Sequence, residues 1–337
     1  MAMENNRFIG VGIDVGGTYT KLAAISDAGI VFAQSTVETL PGLGPMKFLD
    51  RLEAAVRLLK DSISRPVRAM GMGLAGDVDS RKGMLRCSPN MEPFTGFPFK
   101  RRLESRFQVP VSIENDATLA AWGGYVAELK RRPRNVVCLT LGTGIGGGVV
   151  VEGALYRGST GTAGEIGHTI VEPDGEECSC GARGCLEAYA GSYGIVRTAK
   201  KFLAHREGLA AGSGRRRVVG SRNIVWRLCP DLSRLDARVL ALAAQRGDWA
   251  ARKTWGVAGY YLGIGIANAV MLFNPDVVLL TGGVSRAGRW FMGPLLRVVR
   301  TRPMGIPARH VRVRIAKTPN LGSLGAAAWA LEERKIS

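Results

Sequence analysis

VGIDVGGTYTKLAAI, residues 11–25, and VCLTLGTGIGGGVVV, residues 137–151, are one unit written twice, about 126 positions apart from Gly16 to Gly142. Each copy starts as an apolar strand, turns on glycine and threonine, and leaves as a second β-rich strand. Glycine has no Cβ, so the backbone N–H groups of such a hairpin can approach an anion closely. One glycine hairpin alone is more often just a turn. Two of the same make predict a duplicated α/β core with a nucleotide clamped between the halves. No helix follows the first glycines, which excludes the Rossmann and Walker patterns. Asp14, at the end of the first strand, suits the orientation of a phosphate-bound Mg²⁺, because hard cations take oxygen ligands. Thr18 and Lys21 offer phosphate donors.

Outward from the first copy, the pattern predicts a third strand around 30–37 and an amphipathic helix around 46–60. VRAMGMGLAGDVDS at 67–80 reads as another apolar strand ending in a glycine turn, and the proline-rich loop at 87–99 carries Asn90. At 109–129 a strand runs into a helix, with Glu114, Asn115 and Asp116 at the junction. Polar residues at the carboxyl end of a strand in an α/β fold face the ligand crevice. Taken alone, Asn115 or Asp116 serves equally well as an N-cap. DVVLLTGGVSRAG at 276–288 gives a buried strand and a third glycine turn, either for the adenine or ribose of a nucleotide or as a plain link to a helix. A strand at 310–316 and the helix LGSLGAAAWALEE at 321–333 follow, the latter with a small-residue face that implies close packing.

Cys178, Cys180 and Cys185 fall within eight residues, spaced by Gly181 and Gly184, with His168 ten positions upstream. That set suits one tetrahedral Zn²⁺. Four protein ligands close the site, so this zinc is expected to shape a loop and not to activate water. The other readings are thiols without metal, against which Cys87, Cys138 and Cys229 lie far apart and form no second cluster, and a disulfide, which an intracellular chain with reduced thiols disfavours.

With 337 residues, 46% apolar and 7% aromatic content and 45 glycines, the chain has room for two glycine-rich α/β domains. It enters a strand almost at once and has no uninterrupted apolar run of bilayer length, so the expectation is a soluble, cytoplasmic protein without membrane attachment. The formal charge is +18, and half of it, +9, lies between Lys200 and Lys253, where 13 Lys/Arg face 4 Asp/Glu. That stretch contains Arg215-Arg216-Arg217. Neither aromatic platforms nor zinc-finger spacing accompany it, so a solvated basic surface is preferred to a nucleic-acid site.

IDVGGTYTK, IENDA, LGTGIGGG, GEIGH, CSCGARGCLE and TGGV together carry a resemblance that runs over essentially the whole chain. The sequence resembles the ROK family of bacterial sugar kinases and sugar-responsive repressors, within the actin-like ATPase superfamily. The resemblance implies a two-lobed, ribonuclease H-like α/β fold with a duplicated βββαβα core and a ligand cleft between the lobes. Residues 1–116 with 320–337 would form the small lobe, and 117–319 the large lobe with the zinc loop and the basic helical segment. It further implies that Asp116 is the catalytic base, that Asn90 and Asn115 bond sugar hydroxyls, and that Glu165, His168 and Glu187 hold the far side of the ring. Asp14, Gly16, Gly17, Thr18, Lys21, Thr143, Gly144, Gly282 and Gly283 would handle ATP and Mg²⁺. His168, Cys178, Cys180 and Cys185 would hold a structural Zn²⁺, and the partner would be a second copy of the chain, as a homodimer or tetramer. Thr118 stands where the family commonly has Asn, and Gly124 where it often has Glu.

The function this implies is ATP-dependent phosphorylation of a hexose at its 6-hydroxyl, glucose first. Fructose, mannose, N-acetylglucosamine and N-acetylmannosamine are the alternatives. Glycine hairpins, a magnesium-orienting carboxylate and one base are the parts that phosphoryl transfer requires. Three other readings compete. Polyphosphate replaces ATP in one, and a non-catalytic sugar-binding scaffold is another. The third is a sugar-responsive regulator, whose helix-turn-helix domain would precede the first strand; only six residues stand before Arg7, too few for it.

Overall fold

Residues Ile9–Val15, IGVGIDV, form the central strand β1 of the first sheet in a computed structural model of the chain. It describes residues 8–63, 65–88, 90–211, 223–301 and 305–336, the side chains of 205–211, 335 and 336 excepted. The Arg215-Arg216-Arg217 run lies outside the described residues. β1 is covered on both faces, which its apolar run requires. The chain turns at Gly16-Gly17-Thr18 into β2 (Tyr19–Ser26) and again into β3 (Val31–Glu38), all antiparallel. Helix α1 (Pro45–Asp61) starts on a proline and buries Phe48, Leu49, Leu52, Ala55, Val56 and Leu59, the stripe that a 3.6-residue period produces. β4 (Val67–Leu74) then lies parallel to β1. A small hairpin, β5 (Asp77–Asp79) with β6 (Met84–Cys87), and α2 (Phe99–Phe107) lead to β7 (Val111–Asn115), parallel to β4. α3 (Asp116–Gly123) follows directly.

The second half is β8 (Val136–Leu141), β9 (Ile145–Val151), β10 (Ala154–Tyr156), α4 (Glu187–Ala190), α5 (Ser192–Ala211), α6 (Ile224–Leu228), α7 (Ala237–Gln245), α8 (Trp249–Phe273), β11 (Val277–Thr281), α9 (Gly288–Arg300), α10 (Gly305–His310), β12 (Arg312–Ile315) and α11 (Leu321–Ile336). The two sheets run β3-β2-β1-β4-β7 and β10-β9-β8-β11-β12. In each, the first strand of the half sits at the centre, the next two flank it on one side, and two later strands extend the other. The repeat legible in residues 11–25 and 137–151 is therefore a repeat of topology, and each half continues its βββαβα run into a fifth strand.

The chain divides into two compact units, Met1–Cys138 with Gly147–Gly164 and Ala316–Ser337, and Leu139–Gly146 with Glu165–Ile315. The sequence placed the division at 116/117, which would separate α3 from the first sheet. Glycines explain why α3 stays with that unit. A Cβ on Gly325 of α11 would lie 1.8 Å from the Leu119 carbonyl oxygen, and one on Gly123 of α3 would lie 2.0 Å from that of Leu321. The two helices thus touch backbone to backbone. In the second unit α8 is long and apolar enough to cross a membrane, yet half of that stretch is buried inside the protein. Its Gly259 lies against the Phe291 carbonyl of α9 (2.4 Å from an added Cβ), so it packs as a core helix.

α11 lies equally close to the first sheet. Gly12 and Gly71 are cross-strand partners, and a Cβ on either would meet the carbonyl oxygen of Ser323 at 1.8 Å or of Ala326 at 2.0 Å. The expected result for Gly12→Ala is a loss of about 3 kcal/mol, because a backbone and not a flexible side chain must move. Thermal unfolding of the first unit should fall by roughly 6–12 °C. Gly42→Ala, where an added Cβ meets nothing within 4 Å, is the control that should leave it unchanged.

Candidate active site

In the first unit the carboxyl ends of β1, β4 and β7 are in register. Asp14 pairs with Gly73, and Gly73 with Glu114. With strands about 4.8 Å apart, the backbones of Asp14 and Glu114 lie roughly 10 Å apart along one edge. The Gly16-Gly17-Thr18 turn stands on that edge. Its N–H of Gly16 bonds the Tyr19 carbonyl at 3.1 Å, and Thr39 fastens it from outside. The Thr39 hydroxyl donates to the Gly16 carbonyl at 2.6 Å, and its N–H to the Thr18 carbonyl at 2.8 Å. Sequence reading missed Thr39, which no local pattern marks. An added Cβ on Gly17 would lie 3.5 Å from the Asn90 Cβ, so the turn and Asn90 are neighbours. Burial of the Asp14 carboxyl raises its pKa above the ordinary carboxylate range, and Lys21, its cross-strand partner, works against that rise. A nearby cation favours the charged form, which is the condition a metal-binding carboxylate meets.

At the β7–α3 junction Asn115 is the helix N-cap. Its Oδ1 accepts the N–H groups of Ala117 and Thr118 at 2.9 and 3.0 Å, and its Nδ2 donates to the Gly76 carbonyl at 3.0 Å. The capping use read from sequence is therefore real, and it leaves a second Nδ2 hydrogen for a ligand. Asp116 opens the helix, with Oδ1 accepting the Ala117 N–H at 2.9 Å. Its Cα lies 3.2 Å from where a Cβ on Gly73 would stand, so a side chain on β4 there would press on the start of α3. Behind it Glu114 is buried, which raises its pKa, while Arg157 opposes the rise from 2.7 Å. Ser80 donates to Glu114 at 3.1 Å, and the Arg157 guanidinium lies 5.7 Å from the centre of the Trp329 ring. The Glu114–Arg157 pair ties the loop after β10 to the strand end bearing Asn115 and Asp116. Only the acidic member of that pair was noticed in the sequence.

In the second unit the LGTG turn, the zinc-type loop and Glu187 come together. Glu187 begins α4 with a buried carboxylate, and its Oε2 accepts the Ile145 N–H at 2.8 Å. An added Cβ on Gly144 would lie 2.2 Å from that same oxygen, so a larger residue in the turn would displace the Glu187 carboxylate. Exposed Thr143 stands beside it. The Gly142 carbonyl accepts the Ser192 N–H at 3.0 Å, which anchors the turn to the start of α5. Gly282 has a φ of +91° and lies against the Leu141 backbone, where an added Cβ would be 2.4 Å from the carbonyl. Gly283 follows it into the turn before α9. Glu165 is exposed and precedes the short helical turn Ile166–His168.

The ligating atoms of His168, Cys178, Cys180 and Cys185 all lie within 4.8 Å of one another. The Cys178 Sγ is 3.6 Å from His168 Nδ1, and the Cys180 and Cys185 sulfurs are 3.8 Å apart. Tetrahedral zinc, with bonds of about 2.3 Å to sulfur and 2.05 Å to nitrogen, demands edges of about 3.8 Å between sulfurs and 3.6 Å between sulfur and nitrogen. The set fits. Burial of Cys178 opposes ionisation, but the Cys180 backbone N–H, the Tyr193 hydroxyl and the Cys180 and His168 side chains outweigh it and bring the thiol down to about 7. Burial, with the two neighbouring thiols, pushes Cys185 up to about 12. Three thiolates cannot coexist here at neutral pH unless a cation compensates them, and a divalent ion supplies that charge. The loop needs its glycine, since a Cβ on Gly184 would lie 1.9 Å from the Glu172 carbonyl oxygen.

Beside Thr143, a cavity of about 710 Å³ is lined by Tyr193, Val196, Lys200, Leu235 and Asp236 among others. Arg197 and Lys201, also on its wall, both pair with Glu176.

Residues 10–333 match the ROK family. A glucokinase of Thermotoga maritima is 34% identical over 285 residues, 85% of each chain. A glucokinase of Streptomyces coelicolor is 32% identical over 333 residues, covering 97% of this chain and 98% of its own. Among solved structures, a ROK family glucokinase from Streptomyces griseus in complex with glucose and AMPPNP superposes with a TM-score of 0.79 at 31% identity, covering 96% of this chain and 99% of that one.

Proposed function

Because this chain belongs to the ROK family, with the actin-like ATPase fold of that family, we propose that it is an ATP-dependent glucokinase that transfers the γ-phosphoryl group to the 6-hydroxyl of glucose. One observation supports this most: the β7–α3 junction presents Asp116 on the same sheet edge as the Gly16-Gly17 turn and Asp14. A base and a phosphate-gripping turn on one rigid edge are what in-line transfer to a hydroxyl needs.

Asp116 takes the proton of the sugar's primary hydroxyl as the oxygen attacks the γ-phosphorus. The helix N–H that Oδ1 accepts orients the carboxylate and lowers the freedom it must lose. Asn90 and the remaining Asn115 amide hydrogen bond other hydroxyls of the same ring. Glu165, His168 and Glu187 recognise its far side, since a carboxylate accepts from several hydroxyls. The backbone N–H groups of the two glycine turns, with Thr18, Lys21 and Thr143, hold the phosphates, and Asp14 would hold Mg²⁺. When bound, that Mg²⁺ neutralises charge on the transferring phosphates. His168, Cys178, Cys180 and Cys185 would hold Zn²⁺, which with four protein ligands would fix the loop and would not activate water. A cluster of reduced thiols suits the cytoplasm, where we place the enzyme, as a homodimer in keeping with its family.

The cavity beside Thr143 is our site for the nucleotide's base. Its apolar walls, Val196, Leu235 and the Tyr193 ring, suit a purine, and the pairing of Arg197 and Lys201 with Glu176 disfavours a polyphosphate chain. Product formation over glucose, mannose, fructose, N-acetylglucosamine and N-acetylmannosamine, each with ATP and with polyphosphate, tests both choices. Glucose with ATP should lead every other combination in kcat/KM by roughly tenfold. Another sugar in first place, or polyphosphate ahead of ATP, would reverse the assignment.

A further inference from the structure

Glu187 receives its hydrogen bonds from three separate segments. Ile145, in the glycine turn, donates its N–H to Oε2 at 2.8 Å. Ser179, between two of the cysteines, donates its hydroxyl to Oε1 at 2.6 Å. Tyr193, in the first turn of α5, directs its hydroxyl at the same Oε1 from 3.3 Å. That hydroxyl also lies 3.6 Å from the Cys178 sulfur and 3.5 Å from the Ser179 N–H, which it accepts. Tyr193 also lines the cavity beside Thr143.

An ionised carboxylate has about four acceptor positions, two on each oxygen. Ser179 and Tyr193 fill Oε1, towards which the Cys178 sulfur also lies at 3.9 Å, and Ile145 takes one position on Oε2. A single acceptor is left, on Oε2, the oxygen beside the LGTG turn. We propose that Ser179 and Tyr193 are positioning residues for sugar recognition, which lock the Glu187 carboxylate so that Oε2 alone accepts one sugar hydroxyl. Ser179 is not itself a metal ligand. Its place between Cys178 and Cys180 makes the shape of the metal loop set the angle of Glu187. The inference rests on the reading of Glu187 as a sugar contact.

The test is calorimetric binding of glucose, without turnover, to the wild-type protein and to Ser179→Ala, Ser179→Thr, Tyr193→Phe and Glu187→Gln. Zinc content and KM for ATP are measured on each. Ser179→Ala and Tyr193→Phe should each weaken glucose binding about tenfold, since each removes a hydrogen bond to a charged group. Zinc content and KM for ATP should stay at wild-type values in Ser179→Ala, because Ser179 bonds Glu187 and is no part of the cavity wall. Ser179→Thr keeps the hydroxyl and should restore binding. If Glu187→Gln weakens glucose binding while Ser179→Ala and Tyr193→Phe stay within roughly twofold of wild type, the positioning role falls and the sugar contact stands. If Glu187→Gln leaves glucose binding unchanged, both fall. Loss of zinc in Ser179→Ala alongside the lost affinity would also overturn the proposal, since the serine would then be acting through the metal.

Discussion

Asp116→Asn is expected to lower kcat for glucose by roughly a thousandfold or more, with the Kd for glucose close to wild type. The amide has the size and shape of the carboxylate, and its Oδ1 can go on accepting the Ala117 N–H. The cap of α3 is unaffected, because Asn115 provides it. What the amide cannot do is take up a proton, so the loss should appear in the chemical step and leave ground-state binding alone. Steady-state kinetics with glucose and ATP, beside glucose titration calorimetry, read the two quantities separately. A kcat within roughly tenfold of wild type would remove Asp116 from the role of base. A parallel collapse of glucose affinity would make it a binding residue instead.

The second large effect concerns the metal loop. Cys185→Ser should reduce zinc content from about one equivalent to almost none, and glucose affinity by about a hundredfold. Cys185 is fully buried among the other three ligands, so a hydroxyl there neither bonds zinc as a thiolate does nor finds water. Without the ion the loop that carries Ser179 loses its shape, and with it the anchoring of Glu187. Cys138→Ser is the informative control. That cysteine is equally buried, in β8, but belongs to no ligand set, and burial alone pushes its pKa up to about 12. Metal analysis should find zinc intact there. A Cys185→Ser protein with full zinc and wild-type glucose affinity would contradict the stapling role.

Local chemistry made much of this legible in the sequence. The two glycine hairpins announced a duplicated topology, because a strand–glycine–strand unit is contained in about fifteen consecutive residues. The four candidate metal ligands, whose ligating atoms fold to within 4.8 Å of one another, were readable for the same reason, three of them lying within eight positions. The small face of α11 was legible as close packing. Its partners were not, since Gly12, Gly71 and Gly123 come from other parts of the chain. That is also why the division at 116/117 differed from the observed units: α3 is buried all round from Ala117 to Gly123, and nothing in its own sequence tells which helix covers it. Thr39 beneath the Gly16 turn, Arg157 against Glu114, and Ser179 and Tyr193 on Glu187 escaped notice likewise. Each is an ordinary residue type whose role arises only when a distant segment is folded beside it. The reverse holds for Asn115, where the sequence allowed capping or sugar binding and the structure uses the oxygen for the cap and one amide hydrogen for the Gly76 carbonyl.

Phosphorus NMR of a reaction containing the protein, glucose, ATP and Mg²⁺ tests the central claim most directly. The account predicts that the ATP signals give way to ADP and to one new phosphomonoester coupled to the two hydrogens on carbon 6 of glucose, and that Asp116→Asn abolishes it. No phosphorylated sugar, in a protein that still binds glucose by calorimetry, would contradict the account and make this chain a sugar-binding protein without kinase chemistry.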